Sequence, residues 1–254
     1  GTFTSVATHP TGGTAGKLGI AYFNVSLGAL QFTYLLSDGV TWKGSTVQYA
    51  SDVGQWTSLA MNSVGVPFIS YMNDTRDLLK YTQYMGTDWY KTYITSTVPA
   101  GPFSSIDLRS DYDPVIALYE QKRNDLWTAE MEFGGWDYSR VAHNRDVGQY
   151  VSMAIDSAGY PRMSYYDATL GELIYAYWSV GASKWVTDTA DYVDGYVGMY
   201  TSLVLDAADR PYISYYDYTN ERVKLALKSV TNAWVKLTVG QVGDPDDDIQ
   251  VAEA

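Results

Sequence analysis

Residues 200–217, YTSLVLDAADRPYISYYD, decide the reading of the whole chain, because the stretch returns three times at full length without a gap. Residues 56–73 read WTSLAMNSVGVPFISYMN, residues 103–120 read FSSIDLRSDYDPVIALYE, and residues 150–167 read YVSMAIDSAGYPRMSYYD. The copies start at 56, 103, 150 and 200, spacings of 47, 47 and 50. In each, two apolar, β-branched or aromatic runs are split by Asx, Ser, Gly or Asp residues and by Pro67, Pro114, Pro161 or Pro211, which predicts a β-hairpin with a short loop. A looser fifth copy at residues 3–24, FTSVATHPTGGTAGKLGIAYFN, has four extra residues in that loop.

Outward from the hairpin, each repeat continues alike. A third run follows (LQFTYLL, LLKYTQYM, LWTAEMEF, LIYAYWSV, VKLALKSV), then a turn, then a tryptophan opening a fourth run. Those tryptophans are Trp42, Trp89, Trp136, Trp185 and Trp234, spaced 47, 47, 49 and 49. Four short strands per repeat with a period in the forties is the signature of a β-propeller blade. The chain is therefore expected to be all-β: a five-bladed β-propeller with four antiparallel strands per blade. A single blade cannot bury both faces without neighbours, so residues 1–254 read as one domain. The blades are expected at 1–48, 56–96, 103–142, 150–190 and 200–239. A glycine stands two residues before the aromatic that starts each inner strand, at Gly54, Gly101, Gly148 and Gly198, and Gly1 before Phe3 fits the same frame.

The tail adds one strand to the expected twenty. Val242-Gly243 repeats the blade-opening glycine, and residues 247–253 read as a further, C-terminal strand. An unpaired edge invites pairing. Either this strand closes its own ring in the first blade, or it is exchanged with a neighbouring subunit, or the chain continues into a sixth blade.

Composition removes several function classes. A net charge of −12 repels phosphate backbones and no basic stripe offsets it, so nucleic acid is not an expected partner. No run approaches about eighteen consecutive apolar residues, so no membrane span is expected. Cysteine is absent, which excludes disulfides and thiolate chemistry. Two histidines, His9 and His143, cannot build a histidine-rich metal site. There is no GxSxG motif for a serine nucleophile. The run from Gly12 to Lys17 is one residue short of a phosphate loop and reads as the elongated hairpin turn of the first blade.

The repeated frame VGxYxSLxxDxxGxPxISYYD, followed by a run such as LIYAY and a tryptophan strand, resembles repeats of secreted bacterial and archaeal propellers of the BNR or sialidase-like kind. The resemblance covers almost the whole chain and is architectural. Residues 37–42, SDGVTW, look like a shortened Asp-box, the turn joining strands three and four in such blades. The family's arginine triad has no counterpart at a common repeat position, so no catalytic residue is carried over. What the resemblance implies is an extracellular or cell-surface location.

Candidate sites follow the repeat. One position is acidic or amide in every blade: Asn24, Asn73, Glu120, Asp167 and Asp217, at the end of the second strand. A ring of such groups can bind sugar hydroxyls or calcium, whereas the same short side chains can simply accept backbone N–H groups in an Asx turn. Asp244, Asp246 and Asp248 have the DxDxD spacing that gathers oxygen ligands round calcium, but they lack the glycine and glutamate of a calcium loop. No cofactor is required by any of this; calcium is the one ion the pattern suggests. The tryptophans are either sugar-stacking platforms or wedges between blades. Asp107, Asp111, Asp113 and Glu132 are the acids that a glycosidase would draw on. Near-identical blades favour a non-enzymatic extracellular propeller that binds carbohydrate, or another cell-surface ligand, through repeated sites. The alternatives are a structural subunit that self-associates into a filament or array through its terminal strands, and a glycoside hydrolase or lyase, to be sought in the divergent third blade.

Overall fold

The computed structural model describes residues 1–8, 18–49, 52–94, 100–110, 112–132 and 135–241. Contacts group the chain into two compact units, Gly1–Asn144 and Arg145–Ala254. The first unit holds three sheets, the second two, and every sheet has four antiparallel strands in sequence order.

Blade one comprises β1 (Thr2–Thr8), β2 (Leu18–Asn24), β3 (Ala29–Leu35) and β4 (Trp42–Tyr49); blade two comprises β5 (Val53–Met61), β6 (Pro67–Asn73), β7 (Leu78–Tyr84) and β8 (Trp89–Tyr93). Blade three is β9 (Ala100–Ser110), β10 (Asp113–Glu120), β11 (Asp125–Glu132) and β12 (Gly135–Ala142). In the second unit, blade four is β13 (Val147–Ile155), β14 (Pro161–Asp167), β15 (Glu172–Ser179) and β16 (Lys184–Asp191), and blade five is β17 (Val197–Leu205), β18 (Pro211–Asp217), β19 (Arg222–Lys228) and β20 (Trp234–Gln241). Five blades of four strands make this an all-β, five-bladed β-propeller fold. The further strand expected at residues 247–253, and with it Asp244, Asp246 and Asp248, lies outside the described residues.

The inner strands of blades two to five begin three residues earlier than the aromatic that was expected to open them, at Val53, Ala100, Val147 and Val197. The reason is two successive bulges, the first of which, between Val53 and Gln55 and between Val197 and Met199, takes up the blade-opening glycine. Between Gln55 and Ser58, and likewise between Met199 and Ser202, the pairing slips by one residue, with Trp56 and Tyr200 at φ 52° and 54°. Gly54, at φ 116°, lies so close to the preceding blade that a Cβ there would meet Leu30 Cα at 2.7 Å. Glycine is the residue that tolerates both the dihedral and the approach.

Within each unit one joint is repeated. Ser5 Oγ accepts the N–H of Leu59 at 3.0 Å, Ser58 Oγ that of Ile106 at 3.1 Å, and Ser152 Oγ that of Leu203 at 3.0 Å. Further out, the fourth-strand tryptophan turns its edge to an aromatic on the third strand of the preceding blade. Trp89 meets Phe32 at 5.7 Å, Trp136 meets Tyr81 at 5.3 Å, and Trp234 meets Tyr175 at 5.5 Å. Such edge contacts add about 0.5–1.5 kcal/mol beyond area burial. These three tryptophans are wedges, partly buried against the cores between blades.

Candidate functional site

The joint leaves a groove on its outer side, and the groove recurs in both units. In the first, β3 and β4 of blade one and the two turns of blade two enclose about 620 Å³, lined by Tyr34, Lys43, Thr46, Val66, Tyr84 and Trp89 among others. In the second, blades four and five enclose about 330 Å³ with Arg162, Tyr177, Asp209, Arg210 and Lys228 at the wall. The floors match ring for ring. Phe32 and Tyr34 stand 6.0 Å apart with their planes 25° apart, and Tyr175 and Tyr177 stand 5.9 Å apart at 30°. The wedge meets them at 72° in one case and 74° in the other. Aromatic walls with a few fixed polar groups are what small-ligand clefts are made of.

The polar rims differ. In the first groove Lys43 and Asp88 face solvent beside Ser45, Thr46 and Thr87. In the second, three cations are each held by a carboxylate: Arg162 by Asp156 at 2.8 Å, Arg210 by Asp206 at 2.6 Å and Lys228 by Asp188 at 2.8 Å. Asp188 also accepts Trp234 Nε1 at 2.9 Å, which ties the wedge to blade four.

The turns that carry the rims depend on residues the sequence reading passed over. Asn62 accepts the N–H groups of Val64 and Val66, Asp156 those of Ala158 and Tyr160, and Asp206 those of Ala208 and Arg210, at 2.8 to 3.1 Å. Hydrogen bonds from the Arg210 backbone and side chain hold Asp206 below the usual carboxylate range. The signal was available: these are the seventh residues of three aligned copies. Blade three has Arg109 at that place, paired with Glu130 at 2.6 Å and Asp113 at 3.6 Å. Its departure from the consensus is thus an ion pair in place of an Asx turn. Of the other acids proposed for a glycosidase there, Asp111 lies outside the described residues, as does the side chain of Glu132.

Asn24, Asn73, Glu120, Asp167 and Asp217 sit at the last residues of β2, β6, β10, β14 and β18, at the end of the strands away from the grooves. Asn24 accepts Leu27 N–H at 3.2 Å, Glu120 accepts Lys122 and Arg123 N–H at 2.7 and 3.1 Å, Asp167 accepts Thr169 and Leu170 N–H at 3.0 Å, and Asp217 accepts Asn220 N–H at 3.0 Å. Asn73 Oδ1 is buried and has no hydrogen-bond partner. Four of the five therefore cap the turn into the third strand. At this same end the bulged aromatics touch: Phe3 and Trp56 at 4.6 Å, Trp56 and Phe103 at 5.5 Å, and, in the second unit, Tyr150 and Tyr200 at 4.5 Å. Burial, with the Tyr200 hydroxyl beside it, pushes the Tyr150 phenol up to about 12.

The Asp-box-like turn forms around Asp38, whose Oδ1 accepts the N–H groups of Val40 and Thr41 at 3.0 and 2.8 Å. The Thr41 hydroxyl and these amides hold its carboxyl below the usual range. Among the described residues, no three His, Asp or Glu side chains are grouped so as to hold a metal ion. No helix is long and apolar enough to cross a membrane.

No family model matches the sequence. No curated protein matches it either. In structure the chain is similar to a protein of unknown function from Dyadobacter fermentans, with 12% identity, TM-score 0.64, 95% of this chain and 83% of that one. It is similar to the GH74 xyloglucanase of Xanthomonas campestris, with 13% identity, TM-score 0.60, 92% of this chain and 38% of that one. A Hadza microbial sialidase, Hz136, gives 12% identity and TM-score 0.53 over 84% of this chain and 49% of that one. At such identities the likeness is one of fold, and it extends to the sialidase-like architecture that the repeat frame resembles.

Proposed function

We propose that this protein is a non-enzymatic carbohydrate-binding propeller that takes sugars in the grooves between adjacent blades. The observation carrying the proposal is the matched pair of grooves: the same stacked dyad and the same edge-on tryptophan, on equivalent positions of two units. Partly exposed Tyr34 and Tyr177 offer the flat apolar faces that sugar rings stack on, and the turn residues beside them supply donors and acceptors. Catalysis asks for one asymmetric constellation, whereas this chain repeats a neutral platform. Two or more weak sites per chain would act together on a polyvalent surface. The similar xyloglucanase and sialidase folds are consistent with a sugar ligand and carry no weight on catalysis.

The test is a titration of neutral and acidic oligosaccharides followed by tryptophan fluorescence and calorimetry. Wild type should bind with millimolar affinity at more than one site per chain. Tyr34→Ala and Tyr177→Ala should each remove one site while circular dichroism stays unchanged. A panel flat across all glycans, or binding that survives the double variant, would end the proposal.

A further inference from the structure

Two joints, one in each unit, carry the same cluster of residues with a different balance of charge. Lys80 and Lys224 are the third residues of β7 and β19, and Tyr71 and Tyr215 the fifth residues of β6 and β18. Lys91 and Lys236 stand two residues after the tryptophans that open β8 and β20. Across each joint, on the fourth strand of the preceding blade, Gln48 and Asp191 stand six residues after Trp42 and Trp185. Residues opposite each other in an antiparallel pair share one side of the sheet. Tyr71 is opposite Lys80, Lys80 opposite Tyr93 and Thr82 opposite Lys91, so these side chains share the side of blade two that Gln48 touches.

Between blades four and five the cluster is neutralised from within. Asp191 Oδ2 accepts the Tyr215 hydroxyl at 2.7 Å and Lys224 Nζ, while Asp191 Oδ1 lies 3.5 Å from Lys236 Nζ. Asp217 lies 3.5 Å from Lys224 as well, so two lysines meet two buried carboxylates. Between blades one and two both carboxylates are replaced by amides, Gln48 for Asp191 and Asn73 for Asp217. The lysines stay, and Arg76 stands where blade five has Asn220.

Gln48 Oε1 accepts the Tyr71 hydroxyl at 2.6 Å and Lys80 Nζ at 2.7 Å, and Arg76 donates to the Tyr93 hydroxyl at 3.2 Å. Among the described residues none of Lys80, Lys91 and Arg76 forms an ion pair, although Asp74 and Asp77 flank Arg76 in the exposed turn. Burial, then the charges of Lys91 and Arg76, lower the pKa of Lys80, so both cations act on it. The cluster presents donors without a counter-charge: three cations, Gln48 Nε2 with no partner among the described residues, and the Tyr93 O–H. Lys80 is buried at its base, while Lys91 and Arg76 are exposed at its mouth.

We infer that Lys80, Lys91, Arg76 and Gln48 form a binding site for a small carboxylate, whose charge takes the part that Asp191 plays in blade five. A carboxylate is the class that fits, because in the equivalent joint two lysines address the two oxygens of one such group. The site is independent of the sugar reading, since none of these residues lines either groove.

Thermal unfolding of the full chain tests it, with sodium acetate replacing sodium chloride at constant ionic strength. Acetate at ten times its dissociation constant should raise the folding equilibrium constant about tenfold, a melting temperature higher by about 3–6 °C, and the gain should saturate. Lys80→Met should weaken acetate binding at least about tenfold and lose that gain. Gln48→Asp supplies from the chain the carboxylate that blade five has, so it should melt above wild type in chloride and respond to acetate no more than to chloride. The inference is overturned if wild type melts alike in the two salts, if the acetate gain survives in either variant, or if Gln48→Asp melts below wild type.

Discussion

Lys80 and Lys224 hold the same place, the third residue of the third strand of blades two and five, and should respond in opposite directions to the same substitution. Lys80 is 5% exposed and donates to the neutral Gln48 Oε1 at 2.7 Å, with the Tyr93 and Tyr71 rings at 4.9 and 5.6 Å; it has no carboxylate partner among the described residues. Lys224 donates to Asp191 and lies 3.5 Å from Asp217, and both acids are buried. Lys80→Met removes a charge-assisted hydrogen bond worth about 1.5–3 kcal/mol and cation–π contacts worth about 0.5–2 kcal/mol. It also relieves several kcal/mol of desolvation, so the net should be a gain of about 1 kcal/mol, or a melting temperature higher by about 2–4 °C. Lys224→Met leaves Asp191 and Asp217 buried without their main counter-charge, a loss of about 3–5 kcal/mol. Lys236, 3.5 Å from Asp191 Oδ1, holds that loss toward the lower end.

The two substitutions also part on pH. Burial, then the nearby Lys91 and Arg76 charges, lower the pKa of Lys80 in the folded chain. Between that lowered value and the ordinary lysine value of about 10.4, the unfolded chain holds a proton that the folded one does not, so stability rises with pH. The advantage of Lys80→Met should accordingly be largest near neutrality and shrink as pH approaches 10. Melting curves followed by circular dichroism from pH 6 to 10 read both effects. If Lys80→Met destabilises as much as Lys224→Met, or its advantage grows with pH, the counter-charge argument is wrong.

Gly198→Ala places a Cβ 2.7 Å from Leu173 Cα at φ 109° and should cost about 3–5 kcal/mol from strain and overpacking together, while Gly181→Ala, with open space and no unusual φ, should be neutral or stabilising by up to about 1 kcal/mol in the same thermal assay. Ser152→Ala leaves the Leu203 amide without its partner in the joint and should cost about 1–3 kcal/mol, read as a shifted urea midpoint with an unchanged slope. Asp156→Asn should keep the two turn hydrogen bonds and lose the Arg162 pair, so in the same denaturation assay it should fall between wild type and Asp156→Ala, which loses both.

The blades were legible because each is a local unit: period-two alternation, a proline-marked hairpin and a tryptophan at a fixed offset all lie within fewer than fifty residues of sequence. The wedge reading of Trp89, Trp136 and Trp234 was legible for the same reason, since a large ring at an invariant repeat position has an invariant neighbour. The grooves were not, because each is built from residues about fifty apart: Tyr34 meets the 84–89 turn, and Tyr177 meets Arg210 and Lys228, only after blades pack. The caps Asn62, Asp156 and Asp206 were present in the aligned copies, but an Asx residue among other turn formers does not stand out until its amides are seen.

Repetition fixes the backbone of the grooves and leaves their rims free to diverge. The floor must stay aromatic, because Phe32 and Tyr175 also carry the edge of the next blade's tryptophan, and losing either would loosen a joint as well as a site. The rim residues have no such double duty. Lys43 and Asp88 border one groove, while the other carries Arg162, Arg210 and Lys228, each held by its own carboxylate. A sugar with an acidic group would have to compete with Asp156, Asp206 and Asp188 for those cations, so the second groove should gain little affinity for it over a neutral analogue, and less as salt rises. A strong preference for acidic sugars at the second groove, lost on Lys228→Met and absent from the first, would show that the carboxylates yield their partners to ligand and that the two grooves serve different sugars.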